Sequence, residues 1–201
     1  MFSIIQAAGW PIWFLILTSI IAVALIIERF ISLQRKKIMP KRLLEEVMEL
    51  YKTRQVSPDL IQKLDASSPM GSIFANGLRS ELASRDAMKA SMEEAGSLVA
   101  HRLEKYLPAL GTIATVAPLM GLFGTVVGMI EIFGAQAPSG TNPQQLAYGI
   151  SVALYNTGLG ILVAIPAMIF YRFFRTKVDD YLVEMEQQSS KFIDMVKGPR
   201  K

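Results

Sequence analysis

The chain has 201 residues, 51% of them hydrophobic, with only 19% charged and a formal net charge of +4. Soluble domains carry about 25% charge spread over their surfaces, whereas residues 1–27, 106–130 and 132–171 here carry none, which excludes an ordinary water-soluble globule. The lack of cysteine removes disulfides, thiolate metal sites and cysteine nucleophiles.

A helix needs roughly 20 apolar residues to cross a hydrocarbon core of ~30 Å, and three segments qualify. Residues 1–9 read as a short outer lead-in, and residues 10–30 as the first transmembrane helix, with Trp10 and Trp13 suited to an aromatic belt. Its positive charge follows the apolar stretch instead of preceding it, so it reads as a retained span and not as a cleaved signal peptide. Glu28 and Arg29 end it. Residues 31–106 are charged and favour helix. Leu43, Leu44, Val47, Leu50 and Tyr51 recur at helical spacing, as do Ile73, Phe74, Gly77 and Leu78, then Met88, Met92, Ala95, Val99 and Leu103. Ser57-Pro58-Asp59 and Ser67-Ser68-Pro69 read as helix starts. This region predicts a helical bundle that prolongs the transmembrane helices. His101, the single histidine, reads as a helix-surface residue.

Residues 107–133 predict the second span, with Pro108 and Pro118 each expected to remove a backbone donor and bend it. Residues 134–145 are polar and turn-rich and read as a short outer loop. Residues 146–174 predict the third span, with Pro166 inside it, and residues 175–201 a C-terminal helix with Leu182, Met185, Phe192 and Met195 apolar among charges. Residues 1–9 and 134–145 contain no Lys or Arg, while residues 31–106 and 175–201 are rich in both. The positive-inside rule then places the N-terminus and residues 134–145 on the outer side of the membrane, and residues 31–106 and 175–201 on the inner side. Arg35-Lys36-Lys37, Arg172, Arg175 and Lys177 sit beside apolar segments, a placement that suits anionic lipid and not nucleic acid.

The second span contains Gly121-Leu-Phe-Gly-Thr-Val-Val-Gly128, and the third contains Ala153-Leu-Tyr-Asn-Thr-Gly-Leu-Gly-Ile-Leu-Val-Ala-Ile-Pro166. Gly121, Gly124, Gly128, Gly158 and Gly160 suit close helix packing, since small residues let backbones approach in lipid. Thr112, Thr115 and Thr125 lie in the second span; Ser151, Asn156 and Thr157 lie in the third. Each hydroxyl can be satisfied on a carbonyl of its own helix, whereas Asn156 should face protein or water. Together Thr125, Ser151, Asn156 and Thr157 read as a polar seam inside an assembly, able to support water and relay a proton. Glu131 is the only acid in the two segments. It reads either as a pore-mouth acid that attracts cations or as a residue of the outer headgroup region. No phosphate-binding loop and no metal cluster is visible, so an ion gradient is a more natural energy source than ATP. No catalytic constellation and no cofactor are expected.

These motifs, with Thr157 and Ala164-Ile165-Pro166, resemble the two pore helices of the ExbB/TolQ/MotA proton-channel family, and most closely its ExbB branch. The order of elements is similar over nearly the whole chain. The resemblance implies an all-α integral membrane protein with three spans and long cytoplasmic helical extensions, assembled as a pentamer-like ring in the bacterial inner membrane. It implies a partner similar to ExbD or TolR, with one span and a membrane aspartate, and an envelope protein of the TonB or TolA kind. Thr125 and Thr157 match the family's pore-lining threonines. The chain departs from the pattern at Val152, where ExbB and TolQ members usually carry a glutamate, so a mechanism using that glutamate is not carried over. The implied function is an ExbB-like subunit of a proton motor that energises TonB-dependent outer-membrane transport. Rival readings are a TolQ-like subunit of the Tol-Pal system and a non-conducting membrane scaffold. A MotA-like stator fits less well, since that branch has four spans.

Overall fold

The computed structural model describes residues 9–53, 56–134 and 143–198. The lead-in expected over residues 1–8 and the centre of the expected outer loop lie outside them. Every regular element among the described residues is helical: α1 (Pro11–Ser32), α2 (Arg35–Ile38), α3 (Leu43–Lys52), α4 (Pro58–Ser67), α5 (Pro69–Arg79), α6 (Arg85–Glu104), α7 (Leu107–Gly134) and α8 (Pro143–Lys197). Three helical stretches are long and apolar enough to cross a membrane: Pro11–Ser32, Arg85–Gly134 (which includes α7) and Ala147–Lys197 (within α8). In their most apolar windows only 17%, 22% and 35% of residues are buried within the chain. Side chains such as Ile20, Leu122, Ile130 and Leu162 stand more than half exposed. Apolar surface of that extent is not left facing water; it calls for lipid or other helices.

The local signals explain the helix ends. Ser57 and Ser68 accept hydrogen bonds from the backbone N–H groups of Leu60 (3.3 Å) and Gly71 (3.0 Å), with Pro58 and Pro69 as first residues. A capping hydroxyl satisfies one donor that the helix leaves unpaired, and proline there has no N–H to lose. The same logic corrects two expectations. Pro108 lies in the first turn of α7, where its missing N–H costs little, so it starts the helix and does not bend it. Pro143 likewise opens α8, so residues 143–145 belong to a helix and not to the loop. Both α7 and α8 remain helical through their inner prolines, Pro118 and Pro166.

The chain forms two compact units, Met1–Glu28 with Tyr106–Phe173, and Arg29–Lys105 with Phe174–Lys201. In the first, Leu15 of α1 packs with Ala117 of α7 and with Val163 and Ala164 of α8. The ring of Tyr171 covers Gly111, where an added Cβ would come within 3.2 Å of it.

In the second unit the rings of Phe74 and Phe192 pack at 5.1 Å and those of Phe30 and Phe174 at 5.0 Å. Met70, Met88, Met92 and Val99 complete a buried interior. Arg29 is 3% exposed and donates to the carbonyl of Leu103 at 3.1 Å. That carbonyl belongs to the last turn of α6, where backbone acceptors lack helical partners and a cation is favoured. α1 continues past Arg29 to Ser32, and Lys105 and Tyr106, the latter at φ 70, separate α6 from α7. Ser72 donates to Asp65 at 2.6 Å and Arg79 donates to its other oxygen at 2.9 Å. These two contacts, the hydroxyl first, hold the Asp65 carboxyl below its ordinary value. The Tyr181 hydroxyl donates to the Leu33 carbonyl at 3.1 Å, and burial raises its pKa. His101 is exposed on α6.

Candidate functional site

The pairing of α7 with α8 is set by glycines. A Cβ at Gly121 would lie 2.7 Å from the carbonyl oxygen of Asn156 and 3.0 Å from the Cα of Thr157. At Gly124 it would lie 2.8 Å from both Cβ and Cγ of Asn156, and at Gly160 it would lie 2.6 Å from the carbonyl oxygen of Ala117. Real Cβ atoms do not approach so closely, so these positions admit no side chain without moving a backbone or a buried residue. Gly128 is looser, with the Ala153 Cβ at 3.4 Å. Such contact recovers dispersion energy and weak polar contacts in a solvent that supplies no hydrophobic drive between helices. Gly158 differs: it is exposed, and a Cβ there would meet nothing within 4 Å.

Asn156 is the polar centre of this contact. It is 1% exposed and sits against Gly121 and Gly124. The sequence groups it with Thr125, Ser151 and Thr157 as a polar seam inside an assembly; within the single chain the four differ in exposure. Thr125 and Thr157 are half-buried, and Ser151 is exposed. Thr125 donates to the Leu122 carbonyl at 2.7 Å and Ser151 to the Ala147 carbonyl at 2.9 Å. Both hydroxyls therefore leave their oxygen lone pairs available as acceptors. Thr157 follows Asn156 directly, and its Cα lies against Gly121 in the same helix contact.

Two further threonines extend the polar positions along α7. Thr112 donates to Pro108 at 2.9 Å and Thr115 to Thr112 at 3.0 Å, and both are exposed. Glu131 is exposed three residues from the end of α7. The side chain of Val152 is not among those described. Among the described residues no group of three or more His, Cys, Asp or Glu is arranged to hold a metal ion. What the arrangement offers chemically is a helix pair locked by small residues, with neutral hydroxyls at its margin. Those hydroxyls can solvate and pass a proton but cannot store one as a charge at neutral pH.

What the sequence did not reveal is which glycine faces which side chain. The Gly121–Gly124–Gly128 spacing and Asn156 were both visible, yet their mutual contact depends on the register between two helices. The contact of Leu15 with the same helix pair was also missed, because an apolar residue in an apolar span carries no periodic signal.

Residues 65–187 match the model of the MotA/TolQ/ExbB proton channel family. The chain is 34% identical over 163 residues to the biopolymer transport protein ExbB-like 3 of Synechocystis sp., an alignment covering 79% of this chain and 77% of the relative. It is 29% identical over 171 residues to the biopolymer transport protein exbB1 of Vibrio cholerae, covering 81% and 74%. It is 40% identical over 95 residues to the Tol-Pal system protein TolQ of Haemophilus influenzae, covering 46% and 39%.

Proposed function

The chain belongs to the MotA/TolQ/ExbB proton channel family, and from that premise we propose that it is an ExbB-like subunit of an inner-membrane proton motor. Copies of the chain form a ring, a pentamer by analogy with the family, with the N-terminus periplasmic and the C-terminus cytoplasmic. The ring encloses spans of an ExbD-like partner whose membrane aspartate takes up and releases the proton. Proton flow moves partner and ring relative to each other, and a TonB-like protein carries the work to outer-membrane transport.

The observation that carries this reading is the glycine-locked pairing of α7 and α8 around Asn156, with the Thr125 and Thr157 hydroxyls at its margin. A rigid wall with neutral polar positions suits a passage in which the mobile charge belongs to a partner. Each elementary charge that crosses ~100 mV releases about 2.3 kcal/mol, so a few protons suffice to shift a packed interface between discrete positions. The identity with a TolQ protein over 95 residues supports a second reading, a TolQ-like role in the Tol-Pal system.

The test is proton flux into vesicles that contain this chain and its single-span partner under an imposed potential. Flux that needs both proteins supports the motor. A tight complex that conducts nothing under any potential refutes it and favours a scaffold. Deletion of the gene separates the two branches: loss of TonB-dependent uptake with an intact envelope supports the ExbB role, and envelope leakage with normal uptake supports the TolQ role.

A further inference from the structure

The second unit has a groove of about 540 Å³ between α6 and the distal part of α8. Its apolar lining includes Met92 and Met185, and four acids border it: Asp86, Glu93, Glu186 and Asp194. Arg85 pairs with Asp194, and Lys89 pairs with Glu93 at 3.4 Å. Asp86 and Glu186 are exposed, and neither makes a salt bridge among the described residues, so the groove keeps an acidic rim. Gly96 lies in the same wall, and a Cβ there would meet nothing within 4 Å. Glycine inside a helix is less favourable than alanine by about 1 kcal/mol, and no contact within the chain requires one at this position. An open glycine in a groove wall is suited to the close approach of another chain.

The same unit carries a basic corner. Lys36, Lys37 and Lys41 are exposed around α2 and the start of α3, beside Arg42, which pairs with Glu45 at 3.9 Å. Arg35, beside this corner, pairs with Glu184 on α8, two residues from Glu186, so the corner and the acidic rim lie at similar heights along α8. Copies that share one membrane plane and are related by rotation about its normal can join only surfaces at equal depth.

We propose that the groove receives the basic corner of a neighbouring copy, so that each copy offers one acidic and one basic face and the copies join head to tail. Two different complementary faces on one chain produce a ring when the rotation closes. The inference rests on the ring assembly proposed above and names the surfaces that close it outside the membrane.

Because the native chain has no cysteine, Lys37→Cys and Glu186→Cys can be combined in the full-length chain, assembled with its partner in mild detergent and treated with a short bifunctional thiol reagent. The expected result is a ladder of cross-linked multimers up to the ring size, with each single variant stopping at a dimer. A second set uses charge. Glu186→Lys should lower the yield of the oligomer at moderate salt, and adding Lys37→Glu in the same chain should restore it. Native mass measurement accompanies both. Only monomer in every mild detergent would overturn the ring itself. A full-size oligomer whose cross-links stay within one chain, or that shows no rescue, would overturn the docking alone. So would shielding of Lys37→Cys from a soluble maleimide only in vesicles containing phosphatidylglycerol, which would assign the corner to lipid. Protection of Glu186→Cys that appears only with the single-span partner, with no ladder, would assign the groove to that partner and overturn the proposal too.

Discussion

Thr157 is the residue on which the proposed mechanism depends most directly. Thr157→Val removes a hydroxyl at nearly constant volume, and loss of a structural hydrogen bond would cost only ~1 kcal/mol. Proton flux in vesicles holding both subunits should therefore vanish while oligomer size is unchanged; full flux would show that the hydroxyl only packs. Val152→Glu should be dispensable and should slow the cycle, because a second acid near the partner's aspartate makes ionisation of both unfavourable. Flux seen only in Val152→Glu would mean that the native chain is not a working channel. Asp65 gives a pH prediction in the second unit. The Ser72 hydroxyl and the Arg79 guanidinium stabilise its ionised form, so its folded pKa lies below the ordinary 3.8. A depressed carboxyl pKa contributes stability that is complete above the unfolded value and is lost as pH falls through the folded one. Asp65→Asn should lower the melting temperature at neutral pH, and the difference should disappear once the pH drops below that depressed value. A difference independent of pH would show that the effect is steric.

At the scale of elements, the glycines of α7 and α8 divide into two groups that respond oppositely to the same change. Gly121→Ala and Gly160→Ala place a methyl against backbone oxygens at 2.7 and 2.6 Å. Overpacking of that kind typically costs about 1–3 kcal/mol, so both should lower thermal stability in detergent and reduce flux. Gly158→Ala meets nothing within the chain, and alanine favours the helix by about 1 kcal/mol. It should leave the protomer as stable as before or more so, and any loss of oligomer would locate the next copy at that face. The helices themselves were legible in advance. Charge-free stretches gave the spans, and Ser57-Pro58 and Ser68-Pro69 gave two starts that the caps bear out. Pro108 was misread because proline has opposite consequences in the first turn and in the interior of a helix, and the position of the first turn is set by where Tyr106 breaks the chain. Apolar spacing has the same limit in the C-terminal helix: of its apolar residues Met185 and Phe192 are buried, while Met195 is 51% exposed.

At the scale of the whole molecule, the prediction is a topology. Lys and Arg are confined to residues 31–106 and 172–201, apart from Arg29, so residues 134–145 should lie outside and both chain segments rich in charge inside. In intact cells, a membrane-impermeant thiol reagent should label Ser139→Cys and should fail to label Ser67→Cys and Ser190→Cys, which become reactive only after permeabilisation. The reverse pattern would invert the channel and reverse the direction in which protons perform work.

The sequence by itself determined three candidate spans, the helical character of the other described residues and the family, because these follow from where charge is absent and from short motifs read along two helices. It also carried the orientation expectation, since that depends only on counting Lys and Arg in each segment. Tertiary structure decided what no single helix contains. It placed Asn156 in contact with Gly121 and Gly124, buried Arg29 on the last turn of α6, and left Gly96 and Gly158 open. Each of these depends on the register between segments distant in the chain. Glycine spacing announces that a close approach is possible, while the side chain opposite, and whether anything stands there at all, is fixed only when the helices pack.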